Sequence, residues 1–268
     1  MGQIVEFPDE KNAKDKIQKL KKALENLVLE KDTLEYVVCE NIKTEYMLAF
    51  GSLEYRIYKA YCKYLRLRRK KELIQIKKNR QEPFKMEDIE NQLDEEFREY
   101  NKKLEEKIEE INAALKRSKG EVLTDKEADL IKKLYRDIVK RLHPDLNPSV
   151  TDAQKELFYN ATDMYKSGDL DSLKIIHDIV CSEEKKDDVN LHGKFLQDEI
   201  KRLENLVVKI QNDIELIKST PPYTWSVYFE DEKKKAEKLN ELDQELKSFN
   251  EAIRTQEEYI KDLMGNNK

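Results

Sequence analysis

Cysteine, glycine, proline, histidine and tryptophan are all scarce in this chain, and each shortage removes a class of protein. The 3 cysteines in 268 residues, Cys39, Cys62 and Cys181, lie far apart and form no Cys-x-x-Cys pair. That spacing argues against a disulfide scaffold and against a zinc site, and it predicts free, half-buried thiols. With only 6 glycines and 6 prolines, 40% charged and 38% hydrophobic residues, the chain cannot form one thick globular core and reads as long helices. An excess of positive charge is missing as well: 51 basic against 56 acidic residues give a net charge of -5, which argues against nucleic acid as a general partner. No stretch approaches the roughly 18 apolar residues that a membrane span needs. The start, Met1 to Phe7, has neither a basic segment nor an apolar run, and Glu6 stands where a myristoylation signal needs Ser or Thr, so a cytoplasmic protein is expected. No nucleophile motif, Gly-rich phosphate loop or metal-ligand spacing is present, so neither an enzyme nor a cofactor is expected.

The sharpest feature that is present runs from Leu130 to Pro148. Ile131, Leu134, Tyr135, Ile138 and Leu142 recur every three or four residues and share one helical face, while Lys132, Lys133, Arg136, Lys140 and Arg141 lie on the others. Thr124 to Glu127 opens this helix with a capping pattern. Pro144 closes it, because proline disfavours helical angles in the residue before it and has no amide hydrogen. A second amphipathic stretch carries Leu157, Phe158, Ala161 and Tyr165 on one face, so two helices would pack antiparallel with His143-Pro144-Asp145 in the loop between them.

A His-Pro-Asp at the end of a basic amphipathic helix, followed by Phe158, Ala161 and Tyr165, resembles the J domain of the DnaJ co-chaperones. The resemblance covers residues 120 to 182. It implies a partner, a DnaK-type (seventy-kilodalton heat-shock) chaperone whose ATPase the protein stimulates. It also implies roles. Asp145 would pair with an arginine of the chaperone's ATPase domain, and His143 and Pro144 would hold the loop against the interdomain linker. Tyr135, Arg136 and Lys132 would supply the helical contact surface. Asp137 stands where the family commonly has a basic residue, which weakens or tunes the attraction to an acidic patch. The family's short first helix with Tyr-x-x-Leu-Gly is not visible, and Gly168-Asp169-Leu170, followed by a helical run to Val180, replaces its closing basic segment. The cysteine-rich zinc repeats and Gly/Phe-rich linker of many relatives are also missing.

The flanks read as coiled coil. Ile17, Leu20, Leu24, Leu27, Leu34 and Val38 form a stripe that changes phase beyond Val38, continuing at Ile42, Tyr46 and Ala49. Gly51 is expected to reverse the chain into a second helix ending near Arg80, and Pro83 to reverse it again. Apolar residues from Ile89 to Leu115 follow an eleven-residue repeat, predicting one nearly straight helix over 87–116. Together these make an antiparallel helical bundle over 1–117. The basic run Arg66 to Lys71 is read as a solvated or salt-bridged face. His177 and His192 are isolated and read as packed or half-exposed side chains. After the J-like segment, 118–184, two further stripes, Leu196 to Ile217 and Leu239 to Leu263, flank Pro221-Pro222. They predict an antiparallel hairpin over 190–268, with Tyr223 and Trp225 at its tip either sealing the end or gripping a partner.

The expected fold is therefore all-α, with antiparallel coiled-coil helices flanking a small helical J-like domain. The expected function is that of a J-domain co-chaperone whose coiled-coil arms select a client or partner protein, paired within one chain or between two as a homodimer. The alternative is a coiled-coil scaffold or tether with a degenerate J-like domain that stimulates no ATPase.

Overall fold

The computed structural model describes residues 8–119, 123–182 and 194–265, and among them the fold is all-α. Helix continues from Pro8 to Asn79, as α1 (Pro8–Thr33), a π turn (Leu34–Val38), α2 (Cys39–Tyr46), a second π turn (Met47–Gly51) and α3 (Ser52–Asn79). A π turn adds one residue to the helical path and so rotates the following face. The first one lies where the apolar stripe changes phase, which accounts for the step from Val38 to Ile42.

Gly51 does not reverse the chain. Its backbone is helical, with φ -56° and ψ -40°. Its role is steric: a Cβ built there would lie 3.2 Å from Cγ1 of Ile111. The missing side chain lets the helix carrying Ile111 approach closely, a need that a sequence shows only as a glycine.

Two helices, α4 (Met86–Glu96) and α5 (Arg98–Ser118), take the place of the single straight one expected over 87–116. Phe97 breaks the run with φ -101° and ψ 11°. No proline or glycine marks the bend. The Phe97 ring is buried with Ile74, Ile89 and Leu93, and this tertiary packing fixes the break.

Next come α6 (Asp125–Leu142), α7 (Asp152–Ser167), α8 (Leu170–Ser182) and α9 (Lys194–Ser219). A 3₁₀ turn (Tyr223–Ser226), α10 (Val227–Glu230) and α11 (Glu232–Gly265) complete the chain. The division into 1–117, 118–184 and 190–268 is not the one found. The chain forms two compact units, each from two separated segments: Met1–Asn41 with Glu121–Thr224, and Ile42–Gly120 with Trp225–Lys268.

The first unit pairs α1 with α9. Lys16 meets Glu204 at 2.7 Å, and further along both helices Glu30 meets Lys218 at 2.9 Å, so the two run parallel. Ile17, Leu24 and Val28 of α1 and Ile200, Leu203 and Ile210 of α9 are buried in a core continuous with α6, α7 and α8. Each such side chain, fully withdrawn from water, contributes about 1.5–3 kcal/mol.

The second unit pairs α3 with α11, again parallel, since Tyr61 meets Phe249 and, later on both helices, Lys78 reaches the carbonyl of Leu263. The two C-terminal stripes, expected to form a hairpin, fall in different units, and each buries its face against a helix of the N-terminal third of the chain. In this unit the basic run is salt-bridged. Arg66 pairs with Glu90 and Asp94, Lys70 with Glu90, and Arg69 with Glu96 and Glu72.

Candidate functional site

The site is the turn between α6 and α7. α6 starts with the capping box read from the sequence: the Glu127 amide donates to Thr124 Oγ1, and the Thr124 amide donates to the Glu127 carboxylate at 2.9 Å. α7 opens on a second box, Thr151 with Gln154, and ends at Gly168, whose φ of 74° is open to glycine without strain. Each box stabilises its helix by about 1 kcal/mol. The helices run antiparallel, with Tyr135 against Tyr165 at one level and His143 against Phe158 at the other.

His143 ends α6, with extended angles of φ -62° and ψ 124°. Its carbonyl accepts from the amides of Leu146 and Asn147, and its Nδ1 accepts from the Asp145 amide at 3.1 Å. The proton of the neutral ring therefore sits on Nε2. The ring stands edge-on to Phe158, with centroids 5.1 Å apart. Burial lowers its pKa; the charge of Lys31 adds to this and that of Asp145 opposes it. The imidazole is thus neutral at physiological pH and held by the fold.

Asp145 is held from outside the turn. Arg202 of α9 donates Nη1 to the Asp145 carbonyl at 3.0 Å, while its Nε and Nη2 grip the Glu199 carboxylate at 2.7 and 2.8 Å. Leu146 is buried in the core of this unit, so the loop is anchored at its far end as well. Asn147 adds a bond from its side-chain amide to the Lys140 carbonyl.

The expected contact residues separate. Lys132 and Arg136 are exposed on α6 beside Lys133 and Lys140, and Lys140 lies 3.6 Å from Glu25. Tyr135 is a correction: it is fully buried and offers no contact surface. Its ring stacks on Tyr165 at 4.2 Å, and its hydroxyl donates to Asp32 Oδ2 at 2.8 Å and shares a 3.2 Å bond with Thr162. The stripe that contains Tyr135 faces the core, and its polar end is satisfied by a carboxylate on α1 that helical spacing cannot reveal. Burial pushes the Asp32 carboxyl up to about 6, with the Tyr135 bond pulling the other way.

Asp137 has a partner as well. Its carboxylate lies 3.5 Å from His177 Nε2, and the same ring contacts Cys181 and Asp178. The carboxylate at 137 is therefore matched by a histidine on α8. One turn further along the same face, Arg141 donates to the Val180 carbonyl of α8.

Tyr223 and Trp225 do not form an exposed tip. Trp225 is half-buried and stacks on Tyr46 with centroids 4.2 Å apart, beside Phe50, Tyr228 and Phe229. Tyr223, also half-buried, directs its amide toward the buried thiol of Cys39. Burial raises the pKa of the Cys39 and Cys62 thiols, so both stay protonated and unreactive.

Among the described residues, no cluster of His, Cys, Asp and Glu could hold a metal ion, and no helix is long and apolar enough to cross a membrane. His192 lies outside the described residues. Compared with known proteins, the chain matches no family model, no curated protein and no solved structure. Sequence reasoning missed Asp32, Leu146 and Arg202. Leu146 carried a faint signal as an apolar residue just past a turn, whereas Asp32 and Arg202 look like ordinary polar positions of a coiled coil.

Proposed function

We propose that this chain is a J-domain-type co-chaperone that recruits a DnaK-type chaperone and stimulates its ATPase. One observation carries the proposal: an intact His143-Pro144-Asp145 sits at the turn of an antiparallel helix pair, and the helix leading into it exposes Lys132, Lys133 and Arg136. A basic face beside a loop carboxylate suits a partner that offers an acidic patch and an arginine, and such charge patterns speed encounter and fix register. In this role Asp145 takes the chaperone's arginine, while His143 and Pro144 present the loop. The pairs α1/α9 and α3/α11 serve as arms that select the client or partner protein. The setting would be the cytoplasm.

A second reading, a scaffold or tether whose J-like helices stimulate nothing, draws support from the burial of Tyr135 and from the acidic Asp137. The two readings part on one measurement, single-turnover ATP hydrolysis by the DnaK-type chaperone of the same cell with the full chain added. Stimulation by wild type that is lost in His143→Gln and in Asp145→Asn, with unchanged circular dichroism, is the expected result. No stimulation by wild type, or equal stimulation by both variants, leaves the tether.

A further inference from the structure

We propose that α9 latches the His-Pro-Asp loop shut through Arg202, so that the loop engages a partner only when the N-terminal part of α9 lifts away. The proposal rests on the co-chaperone reading and assigns that site its regulation.

Arg202 is preset for this task. Two of its donors are committed to Glu199, which fixes the plane of the guanidinium, and the third points at the Asp145 carbonyl. The fork geometry makes this contact directional as well as charged. Arg202 also lies near enough to Asp145 for the aspartate's charge to raise its pKa, second to the larger effect of Glu199 and against the cost of burial. A partner that brings its own arginine to Asp145 meets a positive charge already there. Two guanidinium groups repel at that spot, so the incoming one must displace the resident one.

Around the loop, α1 contributes Lys31 near His143 and Glu25 with Lys140, and α7 contributes Phe158 against the His143 ring. The buried positions of α9 near Arg202 are Leu196, Ile200 and Leu203, which hold that segment on the core. Lifting them exposes apolar surface, so the open form is the minor one. A partner that binds only the open form has its apparent affinity reduced by the open fraction. The latch thus sets a threshold: anything that draws α9 away, such as a client on the coiled coil, raises the competence of the loop.

The test compares wild type, Arg202→Ala, Arg202→Lys and the Arg202→Ala/His143→Gln pair in the full chain. Hydrogen exchange of the chain alone reports the amides of 145–147, and ATPase titrations report the half-maximal concentration. Losing a charge-assisted hydrogen bond of this kind corresponds to about tenfold. Arg202→Ala is expected to exchange about tenfold faster at the loop and to stimulate at about tenfold lower concentration. Arg202→Lys, which keeps the charge without the fork, should fall between, and the double variant should not stimulate. If Arg202→Ala proves unstable, Arg202→Lys decides by the same two readouts. If wild type stimulates and neither Arg202 variant exchanges faster or stimulates better, the latch is wrong and the co-chaperone reading stands. If wild type does not stimulate, the co-chaperone reading falls and takes the latch with it.

Discussion

The hydroxyl of Tyr135 donates to the carboxylate of Asp32, 103 residues earlier in the chain, at 2.8 Å inside the core. This contact ties α1 to α6, and the burial of Asp32 there, which outweighs the bond's own pull, makes the fold sensitive to pH in a direction opposite to that of most carboxylates. The Asp32 pKa rises from 3.8 unfolded to about 6 folded, so between these values the folded state holds the extra proton. Stability from this group is complete below pH 3.8 and is lost as pH rises through about 6. The loss is on the order of 3 kcal/mol. The stability difference between wild type and Asp32→Asn, measured by urea denaturation from pH 4 to 8, should shift by that order across the window. A flat difference would mean that Asp32 is solvated. Tyr135→Phe should cost about 1–3 kcal/mol, more at pH 8 than at pH 5, because it strands an ionised carboxylate.

At Gly51 two effects compete. Replacing a helical glycine by alanine gains about 1 kcal/mol of helix propensity. The new Cβ would meet Ile111 Cγ1 at 3.2 Å. In an Ile111→Ala background, Gly51→Ala should therefore stabilise by about 1 kcal/mol, while in wild type the gain should vanish or reverse. Equal effects in the two backgrounds, read by thermal denaturation, would remove the close approach as the reason for the glycine.

Trp225, stacked on Tyr46, should emit at shorter wavelength than a free indole and resist acrylamide quenching. Tyr46→Ala should shift the emission to the red and open it to quencher. The sequence holds a single tryptophan, so the signal is unambiguous. Emission of a fully exposed indole from the wild-type chain would restore the partner-gripping tip.

Parallel pairing of α1 with α9 is open to cross-linking. Lys16 and Glu204 meet at 2.7 Å, so cysteines at these positions, in a Cys181→Ser background, should be joined by a short bismaleimide within one chain. Links formed only between chains would mark a dimeric coiled coil instead.

What the sequence determined by itself is what local backbone geometry dictates. The face of α6, from Ile131 to Leu142, follows from a period of 3.6 residues, and all five of its predicted apolar positions are buried. Its end at His143 follows from the ring of Pro144 and its start from Thr124 and Glu127; the apolar stripe showed the change of phase beyond Val38, and the structure supplied the π turn that produces it. The all-α class follows from the scarcity of glycine and proline among long charged stripes. Tertiary structure decided the choice of partner. A heptad stripe states that a face will be buried and leaves open which helix will bury it, so α9 took α1 and α11 took α3 where the order of the sequence favoured a hairpin. The same limit hid the inward turn of Tyr135 toward Asp32, the bend at Phe97 and the hold of Arg202 on Asp145. Each is a contact between residues far apart in the chain, and its energy exists only once the helices have met.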